Sequence, residues 1–250
     1  MRKGRLGSAI ITADGDHLTV VLDGNKLVDT RSAKFARGVI GFQRGDPQRK
    51  VEFRNIYLKP LGQKAIFNGK DLSGWKVLEG HKSVYSVTKA GELNVKDGNG
   101  SIQTKEQWVD YCLQLDIISN GKHLNSGVFF RGLPGQFWTG YESQIRNHWN
   151  GDDRTKLVDF GTGGLYGHQT ARRVVPSDHQ WFSKTVVANG RHMAVWVNGF
   201  QVSDWSDPRP IAESPRQGCR LKPGIISLQG HDPTTDLSFR NITISNYPKR

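Results

Sequence analysis

Short stretches in which apolar and polar residues alternate recur along the chain. His17-Leu-Thr-Val-Val-Leu-Asp-Gly24 is one, ending in an Asp-Gly dipeptide, and His192-Met-Ala-Val-Trp-Val-Asn-Gly199 is another, ending in Asn-Gly. A period of two places successive side chains on opposite faces of a strand. Asp-Gly and Asn-Gly tolerate the positive φ that closes a tight hairpin. Turn residues recur roughly every 8–12 positions, the apolar runs between them are short, and long helical periodicity is absent. This pattern predicts an all-β sandwich or barrel.

Some of these stretches match one another. Gly38-Val-Ile-Gly-Phe-Gln43 resembles Gly224-Ile-Ile-Ser-Leu-Gln229, Asp46-Pro47 matches Asp232-Pro233, and Phe53-Arg-Asn-Ile56 matches Phe239-Arg-Asn-Ile242. Between residues 38–58 and 224–244, 9 of 21 positions are identical. The offset grows from 175 to 186, which places an 11-residue insertion in the Pro-rich loop between Trp205 and Pro223. An internal repeat of this kind sets the layout. Residues 1–62 read as the C-terminal part of a truncated first copy, and residues 63–250 as a complete second domain, joined near Pro60-Leu-Gly-Gln63. The first copy is expected to contribute strands at Thr19–Leu22, Val39–Phe42 and Val51–Leu58. Those strands would leave open edges. They must pack on the second domain, self-associate with another chain, or remain unstable alone, and the chain is expected to be part of a longer tandem protein.

Composition narrows the classes. A 36% hydrophobic content suffices for a core, so a mostly disordered chain is excluded. No apolar run reaches the ~18 residues of a membrane helix. Ala9-Ile10-Ile11 is too short for the apolar region of a signal peptide behind the basic Met1–Arg5. Half of the net +12 charge lies in residues 1–62, where 12 Lys and Arg face 6 Asp and Glu. The basic residues are scattered and carry no nucleic-acid motif, so no nucleic-acid partner is expected. Two cysteines, Cys112 and Cys219, cannot form a disulfide framework or a four-ligand zinc site; whether they pair is open at this point.

A set of motifs in fixed order carries a resemblance. It comprises Phe67-Asn-Gly-Lys-Asp-Leu-Ser-Gly-Trp75, Asn125-Ser-Gly-Val-Phe-Phe-Arg131, Gly140-Tyr-Glu-Ser-Gln-Ile145 and Gly163-Gly-Leu-Tyr-Gly167. Trp196-Val-Asn-Gly199 and Leu228-Gln-Gly-His231, leading to Phe239-Arg-Asn-Ile242, complete it. In this order residues 65–247 resemble the 3-keto-disaccharide hydrolase family, with a partial second match over residues 8–60. The resemblance implies a concanavalin-like jelly-roll β-sandwich, a periplasmic or extracellular location, and activity on sugars oxidised at C3. The family often has Asp where this chain has Asn147. The fold is shared with lectins and carbohydrate-binding modules, so a non-catalytic binding module or an interaction domain is the rival reading.

The candidate site residues follow from strand parity together with the resemblance. On a regular strand Asn125, Gly127, Phe129 and Arg131 share one face. Arg131 then projects from the strand end into a cleft or forms a surface ion pair. Glu142, Gln144 and Arg146 form a polar row, which lines either the solvent or the concave face where jelly-roll proteins bind sugars. Gly161-Thr-Gly-Gly-Leu-Tyr-Gly167 is no P-loop, because no Lys-Ser/Thr follows it; it reads as a turn holding Tyr166 over a pocket or as an ordinary loop. His231 stands where the first copy has Gly45, so the scaffold does not need it. Glu142 and His231 are the candidate catalytic pair, and Asn125, Arg131, Gln144 and Tyr166 the candidate substrate-binding residues. Metal-ligand spacing is absent, which leaves a divalent cation held by Glu142 and His231 as the only cofactor in view. A conventional glycosidase carboxylate pair is not evident.

The chemistry implied by the family is modest. A ketone at C3 acidifies the C2 hydrogen of an oxidised glycoside; a base removes it, and the enolate expels the C1 substituent. Glu142 or His231 would be the base, with Arg131, Gln144, Tyr166 or a cation stabilising the enolate oxygen.

Overall fold

The computed structural model describes residues 6–34, 38–45, 48 and 50–247. The Met1–Arg5 segment and the Asp46-Pro47 pair lie outside the described residues. The chain divides into two compact units, Met1–Leu61 and Gly62–Arg250. Among the described residues every regular element is a strand, and no helix is long and apolar enough to cross a membrane.

The first unit contains a three-stranded antiparallel meander, β1 (Ala9–Asp14), β2 (His17–Leu22) and β3 (Asn25–Arg31). Asp23 closes the second hairpin at φ 47°, and its carboxylate accepts the Ser8 N–H at 2.8 Å. The expected strands at Val39–Phe42 and Val51–Leu58 do not form; residues 38–45 and 50–60 have no strand pairing. Val39 is 97% exposed and Tyr57 85%. The second unit shows why.

The second unit is a β-sandwich. Its strands are β4 (Lys64–Ala65), β5 (Trp75–Val77), β6 (Val84–Val87), β7 (Leu93–Lys96), β8 (Gly100–Thr104), β9 (Tyr111–Ser119), β10 (Asn125–Gly132) and β11 (Tyr141–Arg146). They continue with β12 (Phe182–Asn189), β13 (His192–Val197), β14 (Phe200–Ser206), β15 (Ile225–Gly230) and β16 (Asp236–Asn246). One sheet has the order β11-β10-β15-β8-β5; the other has β14-β13-β12-β9-β16-β7-β6, with β4 also paired to β16. The β12–β14 meander matches β1–β3 at the 175 offset, down to Asn198 at φ 48° accepting the Ser183 N–H at 2.9 Å. Such a meander needs only its sequence neighbours. The strands matching residues 38–58 are β15 and β16, and each sits between two strands from earlier in the domain: β10 and β8 for β15, β9 and β7 for β16. Among the described residues of the first unit no strand occupies those partner places, and residues 38–45 and 50–58 lie outside any sheet.

The core lies between the two sheets. Alternate residues Leu113, Leu115 and Ile117 of β9 and Met193, Val195 and Val197 of β13 point inward from one side. Val128 and Phe130 of β10, Ile226 and Leu228 of β15 and Ile102 of β8 meet them from the other. The odd-numbered residues of β10 and the even-numbered residues of β11 therefore lie on the outer face of the five-stranded sheet. Trp75, from the first of the family motifs, is likewise buried, its indole N–H donating to the Ile66 carbonyl at 2.7 Å, so this motif builds structure. Both cysteines are buried and free.

Candidate functional site

The outer face of β10, β11 and β15 holds the site. Pairing places Gly127 opposite Gln144, and Phe129 opposite both Glu142 and Ser227. The Glu142 side chain lies across Gly127, where an added Cβ would stand 2.6 Å from its Oε1. Any larger residue would displace the carboxylate, which explains the glycine in Asn125-Ser-Gly127.

A cavity of about 260 Å³ opens over this face. Asn125, Glu142, Gln144, Tyr166 and His231 all line it, together with Asn99, Phe137, Trp138, Asp159 and Gln229. Five of the six residues expected from the sequence thus converge, from strands and loops about 100 positions apart.

Arg131 does not join them. It takes φ 52°, and the β10–β15 register shifts between Phe129 and Gly132, so strand parity is broken there. Its side chain is 0% exposed. Nε donates to the Val109 carbonyl at 2.7 Å, Nη1 to those of Gly190 and Arg220 at 2.7 and 3.0 Å, and Nη2 to the Asp110 carboxylate at 2.9 Å. Arg131 is a structural clamp and is not available to substrate. Asn147 is buried too and accepts the Thr162 hydroxyl at 2.6 Å, away from the cavity lining.

The polar groups in the cavity form a chain. Gln144 Nε2 donates to Asn125 Oδ1 at 2.8 Å, and Asn125 Nδ2 faces His231 Nε2 at 3.1 Å. An amide N–H can only donate, so His231 Nε2 accepts and Nδ1 carries the proton. That proton points to Asp232 Oδ2 at 2.9 Å. Burial disfavours the Asp232 charge, but hydrogen bonds from Thr234 and His231 outweigh it and hold the carboxyl below its ordinary value. Asp232 was visible in sequence only as part of the repeated Asp-Pro pair.

Glu142 is 4% exposed. Burial raises its carboxyl from 4.5 to about 7, against the opposing charges of Arg216, His231 and Lys184. Arg216 Nη2 lies 3.3 Å from Glu142 Oε2. The Arg216 guanidinium also stands 4.0 Å from the centre of the Trp138 ring, with Phe129 and Tyr166 further out. Sequence reading missed Arg216, yet it comes from the insertion between Trp205 and Pro223 that the repeat comparison had isolated. The root of that insertion is held by Asp207, which pairs with Arg209 at 2.7 Å and accepts the Tyr141 hydroxyl at 2.8 Å.

The glycine-rich loop runs along the free edge of β11. Gln144 N–H donates to Gly164 O at 2.9 Å, Gly163 N–H to Gln144 O at 2.8 Å, and Tyr166 N–H to Glu142 O at 3.0 Å. Gly163 has φ 91°, and a Cβ there would collide with Val202, so this course requires glycine. The loop delivers Tyr166 to the cavity wall, where its ring packs with Phe160 at 5.0 Å.

Asp159 brings a second carboxylate to the cavity, 3.3 Å from Arg146 Nε; the sequence had shown no partner for Glu142. Among the described residues no three His, Cys, Asp or Glu side chains converge on a metal-holding arrangement, so Glu142 and His231 gain no third ligand.

The cavity combines aromatic walls and convergent amides with one carboxyl, Glu142, able to exchange a proton near neutrality. No protein of curated function matches the chain. Among solved structures, a candidate glycosyl hydrolase from Parabacteroides distasonis ATCC 8503 aligns over 75% of this chain and 94% of its own, at TM-score 0.60 and 21% identity. A second from the same organism covers 69% and 99%, at TM-score 0.52 and 26% identity. The carbohydrate-binding module CBM66 from Bacillus subtilis covers 72% and 99%, at TM-score 0.52 and 15% identity. The fold is thus a concanavalin-like jelly-roll sandwich. Residues 62–245 match the 3-keto-alpha-glucoside-1,2-lyase-like domain over most of the chain, and the protein belongs to that family.

Proposed function

We propose that the cavity cleaves glycosides already oxidised at C3, by elimination across C1 and C2. The observation that carries this reading is a buried Glu142, its carboxyl raised to about 7, in one cavity with the His231–Asp232 pair. The Glu142 carboxylate removes the C2 proton. The C2–H electrons form the enolate with the C3 oxygen, which takes hydrogen bonds from Gln144 Nε2 and Arg216. As the C3 carbonyl re-forms, C1=C2 forms and the C1–O bond breaks. When substrate displaces Asn125 Nδ2 from His231 Nε2, that nitrogen carries a proton and donates it to the departing oxygen, while Nδ1 stays on Asp232 and fixes the ring. Water then adds across C1=C2: its hydroxyl bonds to C1, its proton passes to His231, and Glu142 returns the abstracted proton to C2, which regenerates a 3-keto sugar and gives net hydrolysis.

The test is aglycone release from a 3-keto-glucoside. Glu142→Gln keeps shape and most hydrogen bonds but cannot accept the proton, so the rate should fall by about 10²–10⁴ with binding retained. The unoxidised glucoside should be inert, since its C2 hydrogen is not acidic. Equal turnover of both sugars would replace this mechanism with a glycosidase pair built on Glu142 and Asp159. Trp138, 47% exposed on the cavity wall, favours one alternative, a sugar-binding module; that reading predicts binding without release.

A further inference from the structure

Lys184 is the inward-facing lysine of β12. Phe182, Val186 and Ala188 share its face, and like them it is buried, with 0% exposure. Its side chain crosses the sandwich. Nζ donates to the main-chain carbonyls of Ser143 at 3.0 Å and Gln144 at 2.8 Å, on β11 of the opposite sheet. Among the described residues it makes no direct ion pair. An ammonium placed in a core without a contacting anion carries a desolvation cost that two carbonyls only partly offset.

The meander does not require this residue: at the 175 offset its counterpart on β1 is Ala9, with the same hairpin geometry. What distinguishes β12 is its position opposite β11, the edge strand that presents Glu142 and Gln144 to the cavity. Lys184 reaches that strand from the core side just after Glu142. The charged groups acting on Glu142 are Arg216 from the insertion, His231 beyond β15, and Lys184 from beneath. Glu142 is in turn the charge that favours protonation of Lys184, whose ordinary value of 10.5 burial depresses to about 7.

We propose that Lys184 is a positioning residue for the site, pinning the β11 main chain and placing a positive charge behind Glu142 that helps its carboxylate to form. The charge effect is a property of the folded chain; its use in proton abstraction rests on the function proposed above.

The experiment is a pH titration of the Glu142 carboxyl in the full chain, followed by the infrared bands that Glu142→Gln removes. In Lys184→Met, which keeps length and removes charge, the Glu142 midpoint should rise, with a matching loss of carboxylate on the acid side. An unchanged or lower midpoint overturns the proposal. Should Lys184→Met fail to fold, the reciprocal measurement decides: in Glu142→Gln the Lys184 amine, read by carbon NMR at Cε, should titrate at lower pH than in the parent, and an unchanged value overturns the coupling. Failure of the parent protein to release aglycone would sink the catalytic reading while leaving this titration result intact.

Discussion

Glu142→Gln should reveal the state of this carboxyl without any substrate. In the folded chain burial raises it from 4.5 to about 7, so the native state holds the proton more tightly than the unfolded state. The resulting stabilisation is fully present below the unfolded value near 4.5 and is lost as pH rises through about 7. At roughly 1.4 kcal/mol per tenfold change in proton affinity, the rise corresponds to about 3 kcal/mol. Gln does not titrate, so the variant lacks this loss. Urea unfolding of both proteins at pH 5 and pH 9 gives the comparison, and taking the difference between the two pH values removes any offset from the substitution itself. Relative to the parent, the variant should gain up to about 3 kcal/mol on going from pH 5 to pH 9. No change would refute the argument. So would relative loss of stability at pH 9, which would mean that the Arg216 contact outweighs burial and holds Glu142 as an ordinary carboxylate, too weak a base for the proposed step.

Three further outcomes are expected. Arg131→Met should destabilise the fold by about 3 kcal/mol or more, because it leaves the carbonyls of Val109, Gly190 and Arg220 without their donor, while calorimetry finds sugar binding by the folded variant unchanged; selective loss of binding would restore Arg131 to the site. Arg216→Ala should raise the Glu142 titration midpoint and weaken binding of a 3-keto-glucoside, whereas unaltered values for both would make the insertion a bystander. A chain starting at Gly62 should keep its ligand affinity, since every cavity residue falls between Asn99 and His231; abolished binding by a folded truncation would contradict that.

The site was legible wherever the backbone was regular. Asn125, Glu142 and Gln144 followed from parity because β10 and β11 pair without a break from Asn125↔Arg146 to Phe130↔Tyr141. Arg131 stood one position beyond that paired run, and a single positive φ turned it into the structure. No local pattern announces such a bulge, since what stabilises it is a set of carbonyls from Val109, Gly190 and Arg220. Trp138, Asp159 and Arg216 lie on loops brought together by the sheet order, which alternation does not encode. The opposite error arose at Val39–Phe42 and Val51–Leu58. Their alternation is as good as that of β15 and β16, but strand formation depends on non-local partners, and a pattern alone does not supply them.

The placement of β15 and β16 also constrains how the sandwich is assembled. Each is an interior strand of a different sheet. Before they arrive, one sheet exists only as the separate pieces β11-β10 and β8-β5, and the other as β14-β13-β12-β9 and β7-β6. A growing polypeptide emerging from the ribosome therefore exposes unsatisfied strand edges until the pairing of β15 and β16 joins the pieces. The cavity obeys the same schedule, because Gln229 and His231 are delivered with and just after β15. Completion of both sheets therefore waits for β15 and β16, and nascent chains stalled before residue 225 would be aggregation-prone templates for a chaperone to shield.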